Sequence, residues 1–281
     1  MEEFQALGSP FNVEHSSCSD LKPKKFKWTM EDRPVKVFID DAIMPGLSYE
    51  KKPGEKKIAW VCESRAVFHA LKVPRDTWVN NLEKVCDHYD VVFTSEKEHL
   101  SIHPKIQFAY AGSNLPWIKP KSADIIIQKK KLCSLIASPK AYAYGHQLRH
   151  RIADIFKDNI DLYGGVRDSP RVEGIDRWDK SPALLDYMFS FVIENDNYST
   201  YYTEKLTDCF MTGTIPIYWG TSDIGEIFDM NGIVMLSKDI DLKSLTWEFY
   251  ESKLDSIYEN YQRCINLEMA DDYLYTLIDQ L

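Results

Sequence analysis

YMFSFVIENDNYSTYYTEKLTDCFMTGTIPIYWG, residues 187–220, is the stretch that decides how the rest of the chain is read. Residues 188–193 are a short run of aromatic and β-branched side chains, as a strand buried on both faces requires. Glu194, Asn195, Asp196 and Asn197 then break the run into a polar loop. Thr203 offers an N-cap for a helix carrying Leu206, Cys209 and Phe210 on one face, and Gly213 ends that helix. Residues 215–219 read as a second strand, with Pro216 tolerated near its start or at an edge. Strand, loop, helix and strand make a βαβ-type unit, and open α/β sheets bind ligands where strand carboxyl ends meet helix amino ends.

Glu204 and Lys205 fall at that position. A lysine in a helix's first turn opposes the helix dipole by roughly a few tenths of a kcal/mol, so local stability does not explain it. A solvated Glu-Lys pair accounts for the spacing; so does an anionic ligand, because a cation beside a helix amino-terminus completes the neutralisation that backbone N–H groups begin.

The string Tyr202-Thr203-Glu204-Lys205-Leu206, preceded by Phe191-Val192-Ile193-Glu194-Asn195 and followed by Gly213-Thr214-Ile215-Pro216-Ile217-Tyr218-Trp219-Gly220, resembles the donor-binding signature of the α-1,3-fucosyltransferases, glycosyltransferase family ten. The similarity weakens upstream to about Lys131, and residues 1–120 match only in outline. It implies an α/β chain of the GT-B type, two Rossmann-like halves facing across a cleft. On that reading residues 1–120 form an acceptor-side domain with a leader, residues 121–265 a GDP-sugar-binding domain, and residues 266–281 a terminal helix packing back on the first.

Composition narrows the alternatives. A net charge of −9 is the wrong sign for a nucleic-acid binder, and hydrophobic residues at 44% supply a core. No apolar run approaches the roughly 20 residues of a membrane span, and the opening MEEFQALGSPF is not patterned as a signal peptide, so a cytoplasmic or otherwise soluble form is expected. The cysteines at 18, 62, 86, 133, 209 and 264 are scattered without a C-x-x-C, which favours free thiols over a disulfide framework or zinc site.

In chain order, residues 1–34 read as a loose leader with a docked piece around Phe26 and Trp28. Val35–Ile39 reads as a strand, followed by Asp40 and Asp41, and residues 58–61 are the next. The second of these ends in Cys62-Glu63-Ser64, so Glu63 sits just past a strand's carboxyl end, where α/β folds place chemistry. Trp78, Leu82, Val85 and Cys86 have helical spacing; residues 89–94 and 106–110 read as strands. Residues 111–116 and 119–131 look like the hinge between halves, with Lys129, Lys130 and Lys131 a solvated run or an attraction for a sugar nucleotide. A strand over 132–137 leads into a helix with Leu148, Ile152 and Ile155 or Phe156 on its stripe, leaving Arg149 and Arg151 off it. Residues 165–182 form a long polar loop, expected either as a substrate lid or as disorder. Residues 233–236 read as a strand, and helical spacing from Leu242 onward is expected to pack back across the halves.

Other patterns carry less. Asp239-Ile240-Asp241 is nominally a metal-transferase D-x-D. The pairs His99 with His103 and His146 with His150 have metal-sharing spacing, but neither brings a third ligand. G-x-S-x-G, Walker and G-x-G-x-x-G motifs are missing from the sequence.

The resemblance implies inverting transfer of L-fucose from GDP-fucose to an acceptor-glycan hydroxyl. Glu63 is the best match to the family's catalytic base. Arg149, with Arg151 as the alternative register, and Lys205 match its diphosphate ligands; Asn195, Tyr202 and Glu204 match groups that hold ribose and sugar hydroxyls. No cofactor is expected, and a divalent metal is not required where side-chain cations and helix N–H groups supply the charge. Another GDP-sugar or nucleotide-sugar, or a non-catalytic nucleotide- or glycan-binding module, remains open.

Overall fold

The computed structural model describes residues 1–8, 16–18, 21–64, 81–119, 129–170 and 179–281. Within them the chain divides into two compact units. The first is built from Met1–Asn114, Tyr198–Tyr201 and Glu268–Leu281, the second from Leu115–Asn197 and Tyr202–Leu267. Trp78 and residues 171–178 of the expected lid lie outside the described residues.

The first unit is a six-stranded sheet of β1 (Glu2–Leu7), β2 (Phe26–Thr29), β3 (Val35–Ile39), β4 (Lys56–Val61), β5 (Val91–Thr94) and β6 (Ile106–Phe108), in the order β2-β1-β3-β4-β5-β6. Every neighbouring pair is parallel. Helices α1 (Ile43–Gly46) and α2 (Leu82–His88) accompany it. The loose leader expected at the amino-terminus is instead β1, the strand between β2 and β3. Its core face consists of Phe4 and Ala6, each 2% exposed, while Glu2, Glu3 and Gln5 conceal the alternation. Phe4 stacks on Tyr275, tilts against Phe26 and meets Trp28 edge-on.

In the second unit, β7 (Lys131–Ile136), α3 (Tyr144–Phe156), β8 (Asp161–Tyr163), α4 (Ser181–Leu184), β9 (Tyr187–Ile193), α5 (Glu204–Thr212), β10 (Ile215–Trp219) and β11 (Val234–Met235) give the parallel sheet β11-β10-β9-β7-β8. Central β9 is buried along almost its whole length, as a parallel strand covered on both faces must be. Gly213 ends α5 at φ 65°, the left-handed conformation that glycine adopts without Cβ strain, and its N–H reaches back to the Cys209 and Phe210 carbonyls. Phe189, Phe191, Ile215 and Ile217 share one core with Ile152 of α3 and with Tyr250 and Ile257, from α6 (Trp247–Glu251) and α7 (Leu254–Ile265).

The last helix, α8 (Ala270–Asp279), belongs to the first unit and places Ala270, Leu274 and Ile278 against Phe4, Val37 and Trp60. Its first turn fastens the amino-terminal segment. The buried Asp271 carboxylate accepts the Trp28 indole N–H at 2.7 Å and the Ser17 amide at 3.0 Å, while Asp272 takes the amides of Lys24 and Lys25 at 2.8 and 2.9 Å.

Lys129 corrects a second expectation. It is not solvated but 7% exposed, and its ammonium donates to the carbonyls of Leu184, Leu185 and Thr212 and to the Thr214 hydroxyl. The carboxyl ends of α4 and α5 leave carbonyls without helical partners, and this one cation satisfies both ends. Burial pulls its pKa down to about 7. Lys130 and Lys131 do face solvent, paired with Asp186 and Asp161. All six cysteines are buried free thiols. Among the described residues, no helix is long and apolar enough to cross a membrane.

Candidate functional site

The sequence-derived candidates sort by unit: Glu63 lies in the first, and Arg149, Asn195, Tyr202, Glu204 and Lys205 in the second. The structure joins the second group at the carboxyl end of β9 and the amino end of α5.

Glu194, the residue after β9, organises this junction. Its fully buried carboxylate accepts the Thr203 amide at 2.8 Å and the Thr203 hydroxyl at 2.9 Å, and pairs with the Lys205 ammonium at 3.3 Å. Thr203 is the N-cap of α5, accepting the Lys205 amide, and its hydroxyl also accepts the Lys205 ammonium at 2.9 Å. Lys205 is therefore held in the first turn by a carboxylate directly behind it, which offsets its unfavourable place on the helix dipole. Its side chain retains 26% exposure.

Arg149 comes to the same strand end from α3. The guanidinium is buried; its Nε donates to the Ile193 carbonyl at 2.8 Å, and its Nη2 donates to that carbonyl at 2.5 Å and to Asn195 Oδ1 at 2.9 Å. The backbones can approach this closely because residue 145 is glycine: a Cβ there would lie 1.8 Å from the Glu194 carbonyl oxygen. Arg151 is exposed and lies 5.1 Å over the Tyr144 ring. Of the two arginines, Arg149 is the one at Asn195.

Glu204 is coupled to residues that the sequence did not nominate. Lys180, 8% exposed, places its ammonium 3.0 Å from Glu204 Oε1, 2.8 Å from Asp208 Oδ2 and 4.5 Å over the Trp117 ring. Asp208 uses Oδ1 for the amides of Trp117 and Ile118, at 2.7 and 2.9 Å. Tyr202 is 1% exposed, its ring edge-on to Phe228 at 5.7 Å.

Local charge at this corner is positive where it meets His146. That imidazole is 4% exposed and accepts the Ala143 amide at Nδ1. Burial, with Arg149, Lys140 and Lys205 as cationic neighbours, pulls its pKa down to about 3. A ring so buried and so surrounded stays neutral. His150 bonds the Ser138 carbonyl at 3.0 Å, so each histidine of this pair has its own local partner. In the other pair, buried His99 lies 3.4 Å from Glu96, while His103 accepts the Lys105 amide. Asp241 of the D-x-D string caps a turn by accepting the Lys243 amide.

In the first unit, Glu63 lies just beyond β4 and is half-buried. Its Oε2 accepts the Tyr201 hydroxyl at 3.4 Å, and its amide donates to Asp40 Oδ1 at 3.1 Å. Glu194 carried a visible signal, being adjacent to Asn195 in the motif. Lys180, Asp40 and Tyr201 carried none, because each meets its partner only through the tertiary fold.

Two all-parallel α/β units with polar side chains gathered beyond their strand ends define a GT-B-type chain, and solved structures agree at the level of fold. An α1,3-fucosyltransferase crystallised with GDP-fucose superposes with a TM-score of 0.53 at 15% identity, over 92% of this chain and 83% of that one. TarM gives 0.53 at 9% identity, over 87% of this chain and 54% of its own. Residues 126–262 match the model of the glycosyltransferase family 10 (fucosyltransferase) carboxy-terminal domain. An α-(1,3)-fucosyltransferase, FucT, of Helicobacter pylori is 31% identical over 87 residues, a match spanning 29% of this chain and 18% of that protein.

Proposed function

We propose that the chain is an inverting glycosyltransferase that moves L-fucose from GDP-fucose to a hydroxyl of an acceptor glycan. The observation that carries this reading is the junction of the family 10 motif itself: Lys205 and Arg149 beside the amino end of α5, next to a His146 kept neutral by burial first and by these cations second.

The chemistry needs a base for the acceptor hydroxyl, and Glu63 is the group proposed for it. It needs positive charge for the departing diphosphate, which Arg149, Lys205 and the first N–H groups of α5 would supply. Asn195, whose amide oxygen is fixed by Arg149, Glu204, oriented by Lys180, and the Tyr202 hydroxyl are the proposed holders of ribose and sugar hydroxyls. Attack opposite the diphosphate inverts the anomeric centre. Because protein cations supply the charge, EDTA is expected to leave transfer unchanged.

Thermal unfolding with GDP, GDP-fucose, UDP and UDP-sugars tests the donor, since a ligand of the native state raises apparent stability by mass action. Stabilisation by GDP and GDP-fucose alone is expected. Preference for UDP, or no response to any nucleotide, would overturn the proposal.

A further inference from the structure

Asp40 is the first residue after β3, and β3 pairs with β4 in register through Ile39 and Trp60. It therefore lies beside the end of β4, one strand over from Glu63. Its backbone has φ 46°, in the left-handed region that few residues other than glycine adopt and that aspartate tolerates better than most. The side chain is 5% exposed, and a single oxygen, Oδ1, accepts the amides of Cys62 at 2.8 Å and Glu63 at 3.1 Å. An unusual backbone conformation and a buried carboxyl are thus both used to fix the turn that carries Glu63.

We propose that Asp40 is a positioning residue for Glu63, holding the Glu63 backbone so that its carboxylate can receive the acceptor proton. This rests on the reading of Glu63 as the base. A group that sets the direction of a general base affects the rate far more than substrate binding, because productive proton transfer requires the base within hydrogen-bond reach of the hydroxyl.

The charge state of Asp40 gives the idea a signature that simple packing lacks. Burial, then the Glu63 and Asp41 carboxylates, raise its pKa to about 8, against the lowering effect of the Glu63 and Cys62 amides. The neighbouring Cys62 thiol is itself pushed far up by burial and stays neutral. Below pH 8 Asp40 is thus a neutral acceptor. Since the folded value lies above the unfolded one of 3.8, Asp40's stabilising contribution is complete below that value and is lost as pH rises through 8. Ionisation strengthens the two amide bonds but sets a negative charge beside the half-buried Glu63 carboxylate and repels it from its place.

The test compares Asp40→Ala, Asp40→Asn and Glu63→Gln with the unaltered chain, reading GDP-fucose transfer across pH and GDP affinity by calorimetry. Asp40→Ala is expected to lower kcat on the order of 10²-fold, with donor KM and GDP affinity unchanged. Asp40→Asn keeps an oxygen acceptor and tolerates the same backbone conformation. It is expected to recover most of the rate and to lose the decline near pH 8. Wild-type kcat in Asp40→Ala, with Glu63→Gln inactive, overturns the positioning role and leaves the base reading standing. Turnover by Glu63→Gln, or none by the unaltered chain, overturns both. Equal loss of rate and GDP affinity in both Asp40 variants would reduce Asp40 to a general folding residue, which also overturns it.

Discussion

Lys205 serves two functions that pull in different directions. It is the counter-ion of a fully buried carboxylate, Glu194, at 3.3 Å, and with Arg149 it is a proposed neutraliser of the diphosphate. Lys205→Ala leaves Glu194 with only its Thr203 bonds, so a lower Tm is expected whatever Lys205 does for the ligand. The decisive quantity is GDP affinity measured by calorimetry. A hydrogen bond to a charged group contributes about 1.5–3 kcal/mol, so affinity is expected to fall roughly 10- to 150-fold. Lower Tm with unchanged affinity would confine Lys205 to its structural role. Lys129 shows how little a lysine's sequence context reveals: Lys129, Lys130 and Lys131 look alike in sequence, yet the first is buried where two helices end and the others are solvated.

At the scale of elements, β9, α5 and β10 were legible because their signals are local: a continuous apolar run, a threonine cap and a terminating glycine. The proposed donor residues were legible only through resemblance to a family, since spacing alone fits a solvated Glu204–Lys205 pair equally well. β1 was not legible, because two core-facing residues between Glu2, Glu3 and Gln5 are too short an alternation to register. Nor was the Lys180 cluster, which joins residues 24 and 28 positions apart. The approach of α3 to β9 gives an element-scale test. A Cβ on residue 145 would meet the Glu194 carbonyl carbon at 2.9 Å as well as its oxygen, and both are backbone atoms with no rotamer to escape into. Gly145→Ala must therefore lift the start of α3 and with it the Arg149 bonds to Ile193 and Asn195. Overpacking of this kind costs about 1–3 kcal/mol, which corresponds to roughly 2–12 °C in Tm. Because Arg149 moves with the helix, GDP affinity is expected to fall in parallel. An unchanged Tm and affinity would show that α3 does not need its glycine.

For the whole molecule, the chain's two ends meet in one unit: β1 and α8 both belong to the first, while residues 115–267, apart from Tyr198–Tyr201, make up the second. The first unit's core is therefore closed by residues from both termini, with Phe4 and Phe26 on one side and Leu274 and Ile278 on the other. Asp271 ties them together through Trp28 and Ser17. Removing residues 268–281 exposes that aromatic cluster and leaves the Trp28 indole and the Ser17, Lys24 and Lys25 amides without their acceptors. The proposed donor residues, Arg149, Asn195, Tyr202, Glu204 and Lys205, all lie in the second unit, whose core contains nothing from α8. The truncated chain is expected to lose the near-ultraviolet signal of the stacked Trp28 and Trp60, whose rings lie 6.4 Å apart, while a GDP-stabilised unfolding transition persists. Transfer should disappear, because Glu63 is in the unit that melts. Loss of GDP stabilisation together with the tryptophan signal would mean that the second unit does not hold the nucleotide by itself, and the donor site would have to include residues of the first.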